Sequence, residues 1–134
     1  MDFSEPHIQI SRLPMQDLKQ RTKKFALDVI RYCRRLPKGE EFRIIRAQLI
    51  RSATSTASNY RASQRAKSKA DFISKIGIVE EEADESLFWV ECLKELATRR
   101  HPELERLEKE ANELVAIFVS SRKTARGVGS AGRN

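Results

Sequence analysis

A chain of 134 residues, 40% of them hydrophobic, is long enough for one domain around one core. Charged residues make up 34% while glycine and proline number only 5 and 4, a balance that disfavours turn-rich sheets and favours long amphipathic helices. The net charge of +7 and pI near 9.7 point to polyanionic partners, and the lack of any run of about 18 apolar residues or of an export-type leader argues against membrane spanning and secretion, so the expected location is the cytoplasm.

Residues 1–13 mix Ile8, Ile10 and Leu13 with polar side chains and Pro6, and read as an N-terminal arm. A single helical domain is expected over 14–123. Pro14 suits a first helical position, after which Leu18, Thr22, Phe25, Val29, Tyr32 and Leu36 alternate spacings of four and three. Pro37 and Gly39 stop this first helix. Glu40 and Glu41 then supply acid for the next positive helix end, and Phe42, Ile45, Leu49, Ala53 and Tyr60 mark the apolar stripe of a second helix running to about Ala66. Small residues dominate Ser52 to Ser58, which lets a neighbouring helix approach closely.

Ser68 followed by Asp71 reads as a capping box. It opens a third helix from about Lys69 to Arg99, with Phe72, Ile76, Val79, Ala83, Ser86, Val90, Leu93 and Ala97 as a bundle seam. Gly77 inside it suggests a close helix crossing. His101 and Pro102 break the chain, and Leu104, Leu107, Ala111, Leu114, Phe118 and Ser121 mark a fourth helix. The glycine-rich stretch 124–134 reads as a disordered tail. Four amphipathic helices joined by short breaks predict an all-α, antiparallel up-and-down four-helix bundle.

Charge is divided unevenly among these helices. From Met15 to Leu36, seven basic residues face two acids, and from Glu40 to Lys69 the same numbers recur, giving about +5 each; Ala70 to Thr98 carries about −6. At roughly 100° per residue, Arg43, Arg51, Arg61 and Arg65 share a sector about 80° wide, forming a basic ridge with its densest group at Arg61, Arg65, Lys67 and Lys69. Such a ridge serves equally as a row of phosphate contacts or as a face neutralised by the acids of the third helix. Arg46 lies nearer the seam, where a buried ion pair can form. Asn59 is placed to bridge helices through its amide, and Phe88 with Trp89 lies outside the seam, as expected of a subunit contact.

Catalytic chemistry finds little support. The acids Glu80, Glu81, Glu82, Asp84 and Glu85 lack the paired Glu-x-x-His motifs of a carboxylate metal site, since the histidines, His7 and His101, fall in the arm and at a helix boundary. Cys33 and Cys92 are expected on buried faces, without a CxxC pair or a partnering histidine, and Ser52, Ser55, Ser58 and Ser63 read as packing residues. No phosphate-cradling glycine motif occurs, so neither an enzyme nor a cofactor is expected.

The stretches Ala57-Ser58-Asn59-Tyr60-Arg61-Ala62, Arg65 to Phe72 and Ile76 to Ser86 resemble the bacterial four-helix-bundle family named for proteins encoded in intervening sequences of 23S ribosomal RNA genes. The likeness covers about Leu18 to Phe118 and is strongest from Asn59 to Leu93. It implies a bundle that assembles as a homopentamer, and it brings in a related group, the accessory variability proteins of diversity-generating retroelements, which partner a reverse transcriptase and bind nucleic acid through basic surfaces. Carried onto this chain, the resemblance implies nucleic-acid contacts at Arg51, Arg61, Arg65, Lys67 and Lys69, and assembly contacts at Glu81, Glu82 and Glu85, beside Phe88 and Trp89. Asn59-Tyr60-Arg61-Ala62-Ser63 departs from the Asn-Ile-Ala-Glu-Gly type found in many members, which makes this site more basic. The resulting expectation is a non-enzymatic, homo-oligomeric adaptor that presents a basic surface to RNA or to a nucleic-acid enzyme such as a reverse transcriptase, with RNA or DNA, and ribosomal RNA or a reverse transcriptase by resemblance, as partners. The rival is a structural protein–protein interaction module.

Overall fold

Helix boundaries in the computed structural model, which describes residues 18–127, follow from local backbone chemistry. Four helices form: α1 (Leu18–Cys33), α2 (Glu40–Ser63), α3 (Lys69–Leu96) and α4 (Pro102–Arg126), with no strand among the described residues. The start of α3 is fixed by Ser68, whose hydroxyl accepts from the Asp71 amide at 3.0 Å while the Asp71 carboxylate accepts from the Lys67 amide at 2.9 Å. One orphan donor of the helix is thereby satisfied, and the carboxylate ties back the residue before the cap, Lys67, and not the Ser68 amide that a capping box would engage. Pro102 takes the first turn of α4, where a missing N–H costs nothing, and Glu103 and Glu105 meet the positive end there.

Ends deviate from the periodicity where capping decides. α1 stops at Cys33 and passes through a turn, Arg35 and Leu36 donating to Tyr32 and Cys33, before reaching the proline. α2 and α3 likewise finish at Ser63 and Leu96, about one turn short of their expected ends. α4 does the reverse: it continues through Thr124, Ala125 and Arg126, residues expected in the tail, until Gly127 adopts the left-handed conformation (φ 80°) and closes the helix on the Lys123 and Thr124 carbonyls. The predicted arm 1–13, Pro14 and residues 128–134 lie outside the described residues.

Each seam supplies the core as spaced. Leu18, Thr22, Phe25, Val29 and Tyr32 of α1, Ile45, Leu49, Ala53 and Tyr60 of α2, Ile76, Val79, Ala83, Ser86, Val90 and Leu93 of α3, and Leu104, Leu107, Ala111, Leu114 and Phe118 of α4 are all buried. Leu36, Phe42 and Phe72 cover its edges. Successive helices pack side by side, and α1 returns to α4 more sparingly, leaving between them a groove of about 780 Å³ lined by residues including Arg21, Phe25, Arg31, Arg106, Lys109 and Glu110.

Ion pairs report the antiparallel directions. Lys94 near the end of α3 meets Glu108 near the start of α4 at 2.8 Å, whereas Glu80 early in α3 meets Arg122 late in α4. Tyr60 at the end of α2 lies across the core from α4, its ring 5.8 Å from that of Phe118.

Small residues do allow the close approach of α2 and α3. Ser52, Ala53 and Thr56 are fully buried, and the Ser86 hydroxyl donates to that of Ser52 at 2.9 Å between the helices. Ser58, by contrast, is exposed, and Ser55 is half-buried, so the two do not serve packing as expected. Gly77 also departs from expectation: a methyl group there would meet only Arg122 Cδ, at 3.9 Å, an ordinary contact, so no helix backbone crosses at that point.

Candidate nucleic-acid interface

The predicted ridge along α2 is interrupted by neutralisation. Arg43 at one end is held by Glu40 of its own first turn. Arg51, midway, faces α3 and donates to Glu82 at 3.1 Å and to Glu85, which also accepts from the Trp89 indole N–H at 3.1 Å. The Arg51 hydrogen bond, followed by that of Trp89, holds the Glu85 carboxyl below the ordinary glutamate range. These contacts engage the Arg51 donors inside the chain, so Arg51, although exposed, leaves the set of unpaired cations.

Arg61, Arg65, Lys67 and Lys69 are placed otherwise. Arg61 projects from the last turn of α2, Arg65 and Lys67 occupy the bend, and Lys69 begins α3; all four are exposed, and among the described residues none enters a salt bridge. The bend that carries them is tightly bonded. The Gln64, Arg65 and Ala66 amides donate to the Arg61, Ala62 and Ser63 carbonyls at 3.0–3.2 Å, and Lys67 is tied to Asp71 as described. Long cationic side chains thus extend from a backbone with little freedom to move. Because Arg65 and Lys67 lie beyond the helix end, the continuous one-face ridge is replaced by a cluster at one end of the bundle.

Antiparallel topology adds cations to that end. The last turn of α4 brings Lys123 and Arg126, both exposed and without a salt bridge among the described residues, whereas Lys19 and Lys23 sit nearer mid-bundle, where Arg21 between them meets Glu110 and Glu113 midway along α4. Their signal was present in the acid-free stretches 42–70 and 114–127, whose C-terminal ends approach one another once the helices alternate in direction. The local carboxylates come from α3: Asp71 is engaged by Lys75 and Glu80 by Arg122. The opposite end mixes signs, with pairs such as Arg35–Glu103 and Arg100–Glu105. Charge is therefore polarised along the bundle axis.

The residues expected at an assembly contact lie on the side of α3 rather than at this end. Glu82 and Glu85 are engaged by Arg51, while Glu81 is exposed and without a salt bridge among the described residues. Phe88 is 52% exposed and contacts the half-buried Trp89 edge-on, with centroids 4.8 Å apart. Ile78, Glu85, Trp89 and Leu96 recur at spacings of seven, four and seven, so exposed Ile78 and Leu96 share that side of the helix.

Other expectations resolve locally. Arg46 forms no ion pair among the described residues; its guanidinium donates to the Cys33 and Pro37 carbonyls, both at 3.2 Å, placing a cation on the negative end of α1. The Asn59 amide donates within α2, to the Ser55 carbonyl and hydroxyl at 2.9 and 2.8 Å, and the buried polar bridge between α2 and α3 is Ser52–Ser86 instead. Cys33 is buried, which pushes its thiol up to about 11, whereas Cys92 is only half-buried, contrary to expectation; burial and then Glu95 and Glu91 raise its value. Both shifts disfavour the thiolate. Among the described residues, no three metal-ligating side chains gather at one point, and no helix is long and apolar enough to cross a membrane.

Comparison with known proteins bears on this arrangement. A family model described as 23S rRNA-intervening sequence protein matches residues 16–120. No curated protein matches at a significant level. Among solved structures, the fold is similar to that of a protein of unknown function from the S23 ribosomal protein family of Bacteroides thetaiotaomicron VPI-5482, determined at 1.70 Å, with a TM-score of 0.71 and 27% identity over 79% of this chain and 98% of that one.

Proposed function

The chain belongs to the 23S rRNA-intervening sequence protein family, and from that premise we propose that it is a non-enzymatic, oligomeric adaptor that presents the basic end of its bundle to RNA. The observation that carries the reading is the cluster Arg61, Arg65, Lys67 and Lys69, exposed, held on a bonded bend and free of salt bridges among the described residues. Guanidinium and ammonium groups so placed bind phosphates and release the counterions condensed on them, a favourable term that weakens as salt rises. The family's name, tying it to ribosomal RNA genes, favours RNA over other polyanions.

Oligomerisation through the α2–α3 side is supported by Phe88, Ile78, Leu96 and Ile44, apolar groups 40–52% exposed that gain from cover. A purely structural module would use that side alone. On the adaptor reading, the lateral surface joins copies and the basic end remains available to the nucleic acid.

Fluorescence anisotropy with a labelled RNA tests this. Replacing Arg61, Arg65, Lys67 and Lys69 together with alanine should lower affinity at least tenfold and flatten the dependence of log affinity on log salt by about 3 units, at roughly 0.7–0.9 per lost phosphate contact. Light scattering on the same variant should show an unchanged mass. Wild-type affinity and an unchanged salt slope in the variant would exclude the basic end as the RNA contact.

A further inference from the structure

We infer that the basic end engages the backbone of a double-stranded nucleic acid and not the bases of a single strand, an inference that rests on the RNA-binding reading above. Binding a single strand well takes two components, cations along the backbone and aromatic faces on which bases stack, the latter contributing about 1–3 kcal/mol per base. This end of the bundle has the first without the second. Of its aromatic side chains among the described residues, Tyr60 is 4% exposed and packed across from Phe118, Phe118 is fully buried, and Phe72 is drawn against the core. Among the described residues the strongly exposed aromatic, Phe88, lies farther along α3 on its lateral side, with Ile78 and Leu96.

What remains is cationic and flexible in its side chains. Arg61, Arg65, Lys67, Lys69, Lys123 and Arg126 can meet phosphate oxygens, while several polar groups beside them are engaged within the chain: the Ser63 hydroxyl donates to the Tyr60 carbonyl at 2.6 Å, Gln64 donates to Ser63, and Asn59 donates within its own helix. A surface of this composition gains most where phosphates are densest. A duplex carries one charge per about 1.7 Å of axis from its two strands, twice the linear density of one strand, so the same cations neutralise more phosphates within their reach. Contacts to backbone position a protein without reading its sequence, so affinity should also be indifferent to base order.

The test compares three labelled probes of equal length in one buffer: a duplex RNA, its separated strand with a sequence chosen to remain unpaired, and a second duplex of scrambled sequence. The two duplexes should bind within twofold of each other and at least tenfold more tightly than the strand, and the alanine variant of Arg61, Arg65, Lys67 and Lys69 should lose the difference. A strand bound as tightly as the duplexes, with binding still lost in the variant, would overturn duplex preference and leave the RNA-binding reading standing. A more than tenfold gap between the two duplexes would overturn backbone-only contact. Failure of wild-type protein to bind any probe would overturn both readings.

Discussion

Replacing Ser86 tests the closeness of α2 and α3, on which the position of the basic bend depends. Ser86 is fully buried, its hydroxyl 2.9 Å from that of Ser52 and 3.0 Å from the Glu82 carbonyl, while Ser52 lies 3.2 Å from the Leu49 carbonyl. Ser86→Ala removes one neutral hydrogen bond and strands no donor, because the Ser52 hydroxyl keeps Leu49, so it should cost about 0.5–1 kcal/mol. Ser86→Leu inserts a branched side chain where the facing oxygen is in hydrogen-bond contact, and overpacking of this kind should cost about 2–3 kcal/mol. In a double-mutant cycle, Ser52→Ala with Ser86→Ala should cost less than the two single changes together, by about 0.5–1 kcal/mol. Urea unfolding followed by circular dichroism measures all three, at one fixed protein concentration because self-association would shift the midpoint. Thermal midpoints should fall by about 4 °C per kcal/mol for a chain of this size. If Ser86→Leu unfolds within about 0.5 kcal/mol of wild type, the helices do not approach as described and the reasoning fails.

Two smaller tests follow from local geometry. Gly77→Ala should stabilise the protein by about 1 kcal/mol, since the helix gains a better former and the added methyl meets only Arg122 Cδ at 3.9 Å; a loss of stability would place an undetected neighbour there. Glu85 has a depressed carboxyl in the folded state, so its contribution is present above the unfolded pKa and lost as pH falls through the lower folded value, a window below about pH 4.3. Trp89, the sole tryptophan, donates to that carboxylate and reports the change by fluorescence. Arg51→Ala should move the acid midpoint upward, and a midpoint that stays in place would show that Arg51 does not hold Glu85.

Much of the fold is legible in the sequence because burial imposes a period. Leu104, Leu107, Ala111, Leu114 and Phe118 recur every three or four residues and are all buried, and Ser68 with Asp71 marks the start of α3 before any coordinate is known. The candidate site is less legible, for reasons particular to each residue. Arg51 and Arg61 look alike along α2, and only the register between helices shows that Glu82 and Glu85 stand opposite one and not the other. Lys123 and Arg126 follow a buried seam into a glycine-rich tail, where composition suggests coil although Ala125 and Arg126 sustain the helix up to Gly127. Asn59 satisfies its amide four residues back, a local alternative open to any helical asparagine and invisible to spacing. Cys92 falls at the edge of the α3 seam, where the period cannot separate core from flank.

The hydroxyl pair of Ser52 and Ser86 also acts as an index between two helices whose other contacts are largely interchangeable alkyl groups. Sliding α3 along α2 by one turn, about 5.4 Å, would part those oxygens and carry Glu85 away from Arg51 in the same movement. Alignment by these polar pins sets how far the α2–α3 hairpin extends beyond its neighbours. The reach of the cations at its tip toward a polyanion is therefore determined near the middle of the bundle, many residues from the charges themselves.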